Sequence, residues 1–224
     1  MRLVPQLASL LAAALGAAAL VAPTAGSANG YVYDKDLSWW AVNSLETASE
    51  YTGSETKRIP YRTYIRCYTD AASFEGPLLR DGASRNEAKG TIAYYAGQGS
   101  VNIRNGTCLR ARRFTEQAIM TTETASAIAT ILHETLHRQG VRDERITECF
   151  ANQAVKYAGW LAHWNSLATR DDTTWAASEA KGSRARDLAF SASKRWIARE
   201  YQMSRAECLR LTRSFSWAEY RRPS

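Results

Sequence analysis

The chain is poor in histidine, with three in 224 residues, and it contains only four cysteines. No CxxC pair occurs, which argues against a zinc site built from cysteines. Beyond residue 28 no stretch is apolar enough to cross a bilayer. No internal repeat is visible. The formal charge is +7, yet no nucleic-acid-binding motif accompanies it. Arginine is spread along the chain, with short clusters at Arg110–Arg113 and Arg221–Arg222. The charge therefore reads as a solvated basic surface, and no nucleic-acid partner is expected.

What is present begins with an export pattern. Arg2 precedes an apolar run over residues 7–22, and Gly26, Ser27 and Ala28 offer small residues for cleavage after Ala28. The run is too short to span a membrane, so residues 1–28 read as a removed signal peptide, leaving no stable membrane insertion. Arg2 is the one ionisable side chain in that segment, so +7 falls to +6 on its removal. Residues 29–224 suit one domain with a real core. The short stretch from 29 to about 35 is too small for an inhibitory prodomain.

An even cysteine count in an exported chain points to two disulfides. Three connectivities are possible. Cys67–Cys108 with Cys149–Cys208 is preferred, because each bridge then staples one half of the molecule.

Helical spacing of Leu37, Trp40 and Leu45 predicts a first helix over 36–50. Residues 59–68 alternate, with Tyr61, Thr63, Ile65 and Cys67 on one face and Arg62, Tyr64 and Arg66 on the other, as a strand does. Glycines and Pro77 between 71 and 90 suggest loop. Two β-rich runs, 91–96 and 100–104, flank a glycine-rich turn and predict a hairpin. Asn105-Gly106-Thr107 matches a glycosylation sequon and reads as a turn. From Thr121 the pattern becomes helical. Ile128, Leu132 and Leu136 form one apolar row beside Ala129, His133 and His137, and Gly140 closes the helix. A second helix is expected over 143–166, with Phe150, Ala154, Tyr157 and Leu161 inward. Two more are expected over 184–201 and 204–219. The expected class is α+β, with an antiparallel sheet in the first half followed by a metal-binding helix pair and C-terminal helices.

Two of the three histidines fall in His133-Glu134-Thr135-Leu136-His137. On a helix, positions four apart lie on one face, so both imidazoles can address one metal ion, with Glu134 placed to take a proton from water. A third ligand is needed. Glu148 is favoured, presented by the next helix after the chain turns at Gly140. Glu144 lies one turn earlier on that face, and Asn152 one turn later as a supporting partner. The rival is Asp143, which completes HExxHxxGxxD.

The pentapeptide resembles the signature of zincin metallopeptidases. Glu148-Cys149-Phe150-Ala151-Asn152 resembles the Glu-x-x-Ala-Asn of small gluzincins, while the Asp143 spacing resembles snapalysin-like metzincins. The latter also place a methionine turn below the metal, and the one later methionine is Met203. The similarity covers about residues 121–160. It implies a zincin-like domain that binds Zn²⁺ and hydrolyses peptide bonds in peptide or protein substrates, with Glu134 as general base. It also implies a Tyr or His donor to the developing oxyanion, for which Tyr157 and His163 are candidates. An edge strand at 91–96 or 100–104 would hold the substrate. The contrasting expectation is a non-catalytic, basic, disulfide-stapled extracellular binding module with the same fold. Glu134 argues against it, since metal binding alone needs no base.

Overall fold

The computed structural model describes residues 30–51, 62–96, 99–167 and 174–213. The predicted signal peptide, residues 59–61 of the predicted strand and the end of the predicted last helix lie outside them.

Strand β1 (Tyr31–Asp34) leads into helix α1 (Lys35–Tyr51). Asp34 makes that junction: its carboxylate accepts from the Leu37 amide at 2.9 Å and from the Arg112 guanidinium at 2.7 Å. Helix α1 buries Leu37, Trp40, Ala41, Leu45 and Ala48, the predicted apolar face. Strand β2 (Tyr64–Tyr68) puts Ile65 and Cys67 inward and leaves Tyr64 exposed.

Two corrections concern the segment read as loop and turn. Residues 71–90 hold helices α2 (Ala71–Arg80) and α3 (Arg85–Gly90). Asp70 caps the first through the Ser73 amide, and Ser84 with Glu87 forms a capping box on the second. Pro77 is accommodated inside α2. After strands β3 (Ala93–Ala96) and β4 (Ser100–Arg104), the sequon Asn105-Gly106-Thr107 opens helix α4 (Asn105–Gln117). This helix buries Thr107, Cys108, Ala111, Phe114 and Thr115, a helical stripe masked in the sequence by its arginines.

The expected antiparallel sheet is mixed. Its order is β1-β2-β4-β3. The β1–β2 and β3–β4 pairs are antiparallel, as expected for the hairpin, but β2 and β4 are parallel, with Ile65 opposite Val101 and Cys67 opposite Ile103. A parallel pair needs a long crossover, and α2, α3 and β3 supply it. Strand β3 thereby becomes an edge.

Helix α5 (Thr122–Arg138) packs on the sheet and on α1, α4, α6 (Glu144–Leu167) and α7 (Trp175–Glu200). Thr121 caps it with Thr124, and its row Ile128, Leu132 and Leu136 is buried. Gly140 takes φ +94°, reversing the chain so that α6 returns along α5. Helices α6 and α7 touch through glycines. A Cβ on Gly182 would stand 2.5 Å from the Lys156 carbonyl oxygen, so no larger residue fits without separating the helices. Both preferred disulfides are present: Cys67–Cys108 ties β2 to α4, and Cys149–Cys208 ties α6 to α8 (Arg205–Arg213). None of the described helices is long and apolar enough to cross a membrane. The class is α+β, with eight helices and one four-stranded sheet among the described residues.

Candidate metal centre

Helix α5 delivers His133 and His137 one turn apart, half-buried at the rim of the core. Their Nε2 atoms are 3.0 Å apart. The first residue of α6, Glu144, faces both: one oxygen lies 3.3 Å from His133 Nε2 and the other 3.2 Å from His137 Nε2. A tetrahedral ion with ligand bonds of about 2.0–2.1 Å spaces its ligand atoms about 3.3 Å apart. The Nε2–Nε2 separation is close to that figure, Glu144 sets one oxygen against each nitrogen, and His133, His137 and Glu144 form a group that could hold a metal ion.

The opposite ring nitrogens are already engaged. His137 Nδ1 lies 2.7 Å from the Val141 carbonyl, which can only accept, so Nδ1 carries the proton and Nε2 offers a lone pair. The Gly140 reversal is what brings Val141 there. His133 Nδ1 lies 3.1 Å from Glu148. The Asn152 amide donates to the other Glu148 oxygen at 2.9 Å, and Ser193 of α7 donates to Asn152 at 3.2 Å. The chain Ser193–Asn152–Glu148–His133 thus braces one imidazole from two further helices.

The carboxylate favoured as third ligand does not lie against both imidazole tips. Glu148 reaches His133, but on the nitrogen facing away from His137, and the carboxylate against both Nε2 atoms belongs to Glu144. Helix α6 starts at Glu144 directly opposite the end of α5, so its first turn meets the imidazole tips and its second turn lies deeper. Asp143, the rival, caps α6: its carboxylate accepts from the amides of Arg145 (2.9 Å) and Ile146 (3.3 Å) and pairs with the Arg145 guanidinium. Met203 packs with the cluster around Cys149, Phe190, Ile197 and Cys208.

Charge follows this geometry. Burial alone would depress His133, but the hydrogen bonds it donates to Glu144 and Glu148 and the nearby Glu134 charge outweigh it and raise it to about 9. The His133 contact holds Glu144 below its usual range. Burial pushes Glu134 up, against the opposing pull of both histidines and of the Tyr95 backbone. A carboxylate raised in this way is a better proton acceptor near neutrality.

The site opens on a cleft along β3 with two lobes that share His133, Glu134 and Glu144. One, of about 610 Å³, runs between Ile92, Ala129 and helix α7. The other, of about 870 Å³, runs past Tyr95, Arg138 and Arg142. A separate pocket of about 470 Å³ between α7 and α8 is mostly apolar; its one acid, Asp187, is paired with Arg186 and Arg205.

The two oxyanion-donor candidates are not brought to the cleft. Tyr157 stacks on Tyr51 and meets Trp160 edge-on, with its hydroxyl pushed up to about 12 by burial. His163 sits far along α6, near Lys181. Of the tyrosines that line the cleft, Tyr94 and Tyr95 lie on β3 and Tyr201 at the α7–α8 corner. Trp196 Nε1 lies 3.4 Å from the Tyr201 hydroxyl. An indole N–H only donates, so the phenol accepts there and keeps its own proton to give. Its place follows from the Cys149–Cys208 bridge, which pins the α7–α8 corner beside the residue after Glu148. No known protein family, no characterised protein and no solved structure matches the chain.

Proposed function

We propose that this protein is a secreted zinc-dependent metallopeptidase, with His133, His137 and Glu144 as metal ligands and Glu134 as general base. The observation that carries the reading is the pair of facing Nε2 atoms, 3.0 Å apart, with one Glu144 oxygen 3.2–3.3 Å from each, beside a second carboxylate at a cleft. Two imidazoles and a carboxylate suit zinc in a catalytic site, and all four cysteines are committed to disulfides. Those disulfides also suit an oxidising compartment.

Zinc held there supplies a Lewis acid and brings the pKa of a water to about 7. Glu134 takes a proton from water as oxygen attacks the carbonyl carbon, then gives it to the leaving amine nitrogen. Tyr201 donates its phenolic proton toward the carbonyl oxygen as that oxygen gains charge. Glu148 and the Val141 carbonyl hold the two rings so that neither must reorient. Edge strand β3 offers its free side to an extended substrate; β4 lies inside the sheet and cannot.

The test is direct. Purified protein should contain about one zinc per chain and cut unfolded proteins, with activity lost to a chelator and restored by zinc. Metal-free protein, or zinc-loaded protein that cuts nothing, contradicts the proposal.

A further inference from the structure

We infer that the cleft selects an extended peptide with an acidic side chain upstream of the scissile bond and an apolar one just downstream, the acid being read by Arg142. This rests on the peptidase reading above.

The direction comes from the edge strand. In an antiparallel pair, alternate residues turn their backbone groups toward the partner. The Arg104 amide donates to the Ile92 carbonyl at 3.0 Å, so Ile92 and Tyr94 face β4 while Ala93 and Tyr95 face outward. Tyr95 and Glu134 line the same lobe, which sets the outward edge beside the base. Antiparallel addition is the more stable pairing. A peptide so added runs against β3, with its N-terminal half beside Tyr95 and its C-terminal half beside Ile92.

The two lobes then differ in what they offer. On the downstream side Ile92 and Trp196, each 48% exposed, line one lobe together with Ala129 and Ala192. The carboxylates there, Glu134, Glu144 and Glu148, are those of the centre itself. On the upstream side the lobe carries Arg138 and Arg142, and its acids are Glu134 and Glu144, both already used. Arg138 is held by the Arg62 carbonyl at 3.2 Å. Arg142 is exposed, on the short connection from α5 to α6, and forms no salt bridge among the described residues; its neighbour Asp143 is taken by Arg145. A cationic side chain left unpaired at the mouth of a substrate cleft favours a carboxylate ligand and rejects a lysine.

The experiment digests a diverse peptide mixture with the zinc-loaded protein and reads the cut sites by mass spectrometry. Asp or Glu should be enriched within about three residues before the cut, and large apolar residues just after it. Arg142→Glu should lower the preference for acidic over lysine-containing peptides by about fivefold or more, and Arg142→Lys should retain it, with the effect shrinking in high salt. Cuts without an upstream acid, an acid preference downstream, or a preference unchanged in Arg142→Glu each overturn the inference. A second arm measures anisotropy of labelled acidic and lysine-containing peptides on the Glu134→Gln protein. If nothing is cut but the acid preference in binding depends on Arg142, the peptidase reading falls and the recognition stands; equal binding of both peptides removes the recognition.

Discussion

Replacing Glu144 and Glu148 one at a time separates a ligand from a brace. Glu144 faces both Nε2 atoms at 3.2–3.3 Å, so Glu144→Ala leaves a metal held by two imidazoles alone. Glu148 touches the far nitrogen of His133, so Glu148→Ala leaves three ligands but frees one ring to turn. Loss of an outer partner costs about 10–100-fold in metal affinity, or about 1.4–2.7 kcal/mol. Loss of a ligand should exceed that range clearly. Asp143→Ala, at the α6 cap, should reduce stability by about 0.5–2 kcal/mol and leave the metal bound. Competition against a chromophoric chelator measures the affinities, and urea unfolding of the metal-free variants controls for folding. The reasoning is refuted if Glu148→Ala empties the site while Glu144→Ala binds zinc within tenfold of the unaltered protein. Glu148 would then be the ligand.

Three further outcomes are expected. Tyr201→Phe should lower kcat by about 10²-fold with little change in KM, as for loss of one oxyanion donor; an unchanged kcat removes Tyr201 from the chemistry. Because His133 sits at about 9 without metal, zinc uptake at pH 7 should release about one proton from His133, and more as the zinc-bound water ionises, seen as buffer-dependent heat in calorimetry. The same raised value stabilises the metal-free fold fully below pH 6.5, and that contribution is lost as pH rises through about 9; zero proton release contradicts both statements. Replacing Cys149 and Cys208 together by Ser opens a bridge spanning 59 residues and should cost about 4 kcal/mol in urea unfolding, with kcat falling as the Tyr201 corner loosens. Unchanged stability and kcat would mean the bridge does not hold that corner.

Elements with a long apolar period were readable in the sequence. Helices α1, α5 and α6 each carry a buried row spaced for a helix, and the 91–104 hairpin carries alternation around glycines. The histidine pair was readable because a four-residue spacing on a helix admits one geometry. Helices α2 and α3 were obscured by Gly76-Pro77 and by glycines, although the Ser84-x-x-Glu87 capping box was available as a signal. The parallel β2–β4 pairing depends on a crossover whose path no local pattern encodes. The choice between Glu144 and Glu148 is of the same kind. Both share a face of α6, and which one meets the imidazoles is set by how tightly Gln139–Asp143 turns. Tyr201 lies 53 residues beyond Glu148 in the chain. Only the Cys149–Cys208 pairing carried a hint of where it folds.

The measurement closest to the central claim is zinc content and peptide hydrolysis in Glu134→Gln, side by side with the unaltered protein. The substitution keeps the shape of the side chain and removes the proton acceptor. Zinc should remain at about one per chain while hydrolysis falls by about 10²–10⁴-fold or more. Full hydrolysis in the variant, or an unaltered protein that binds zinc and cleaves nothing, would contradict the account.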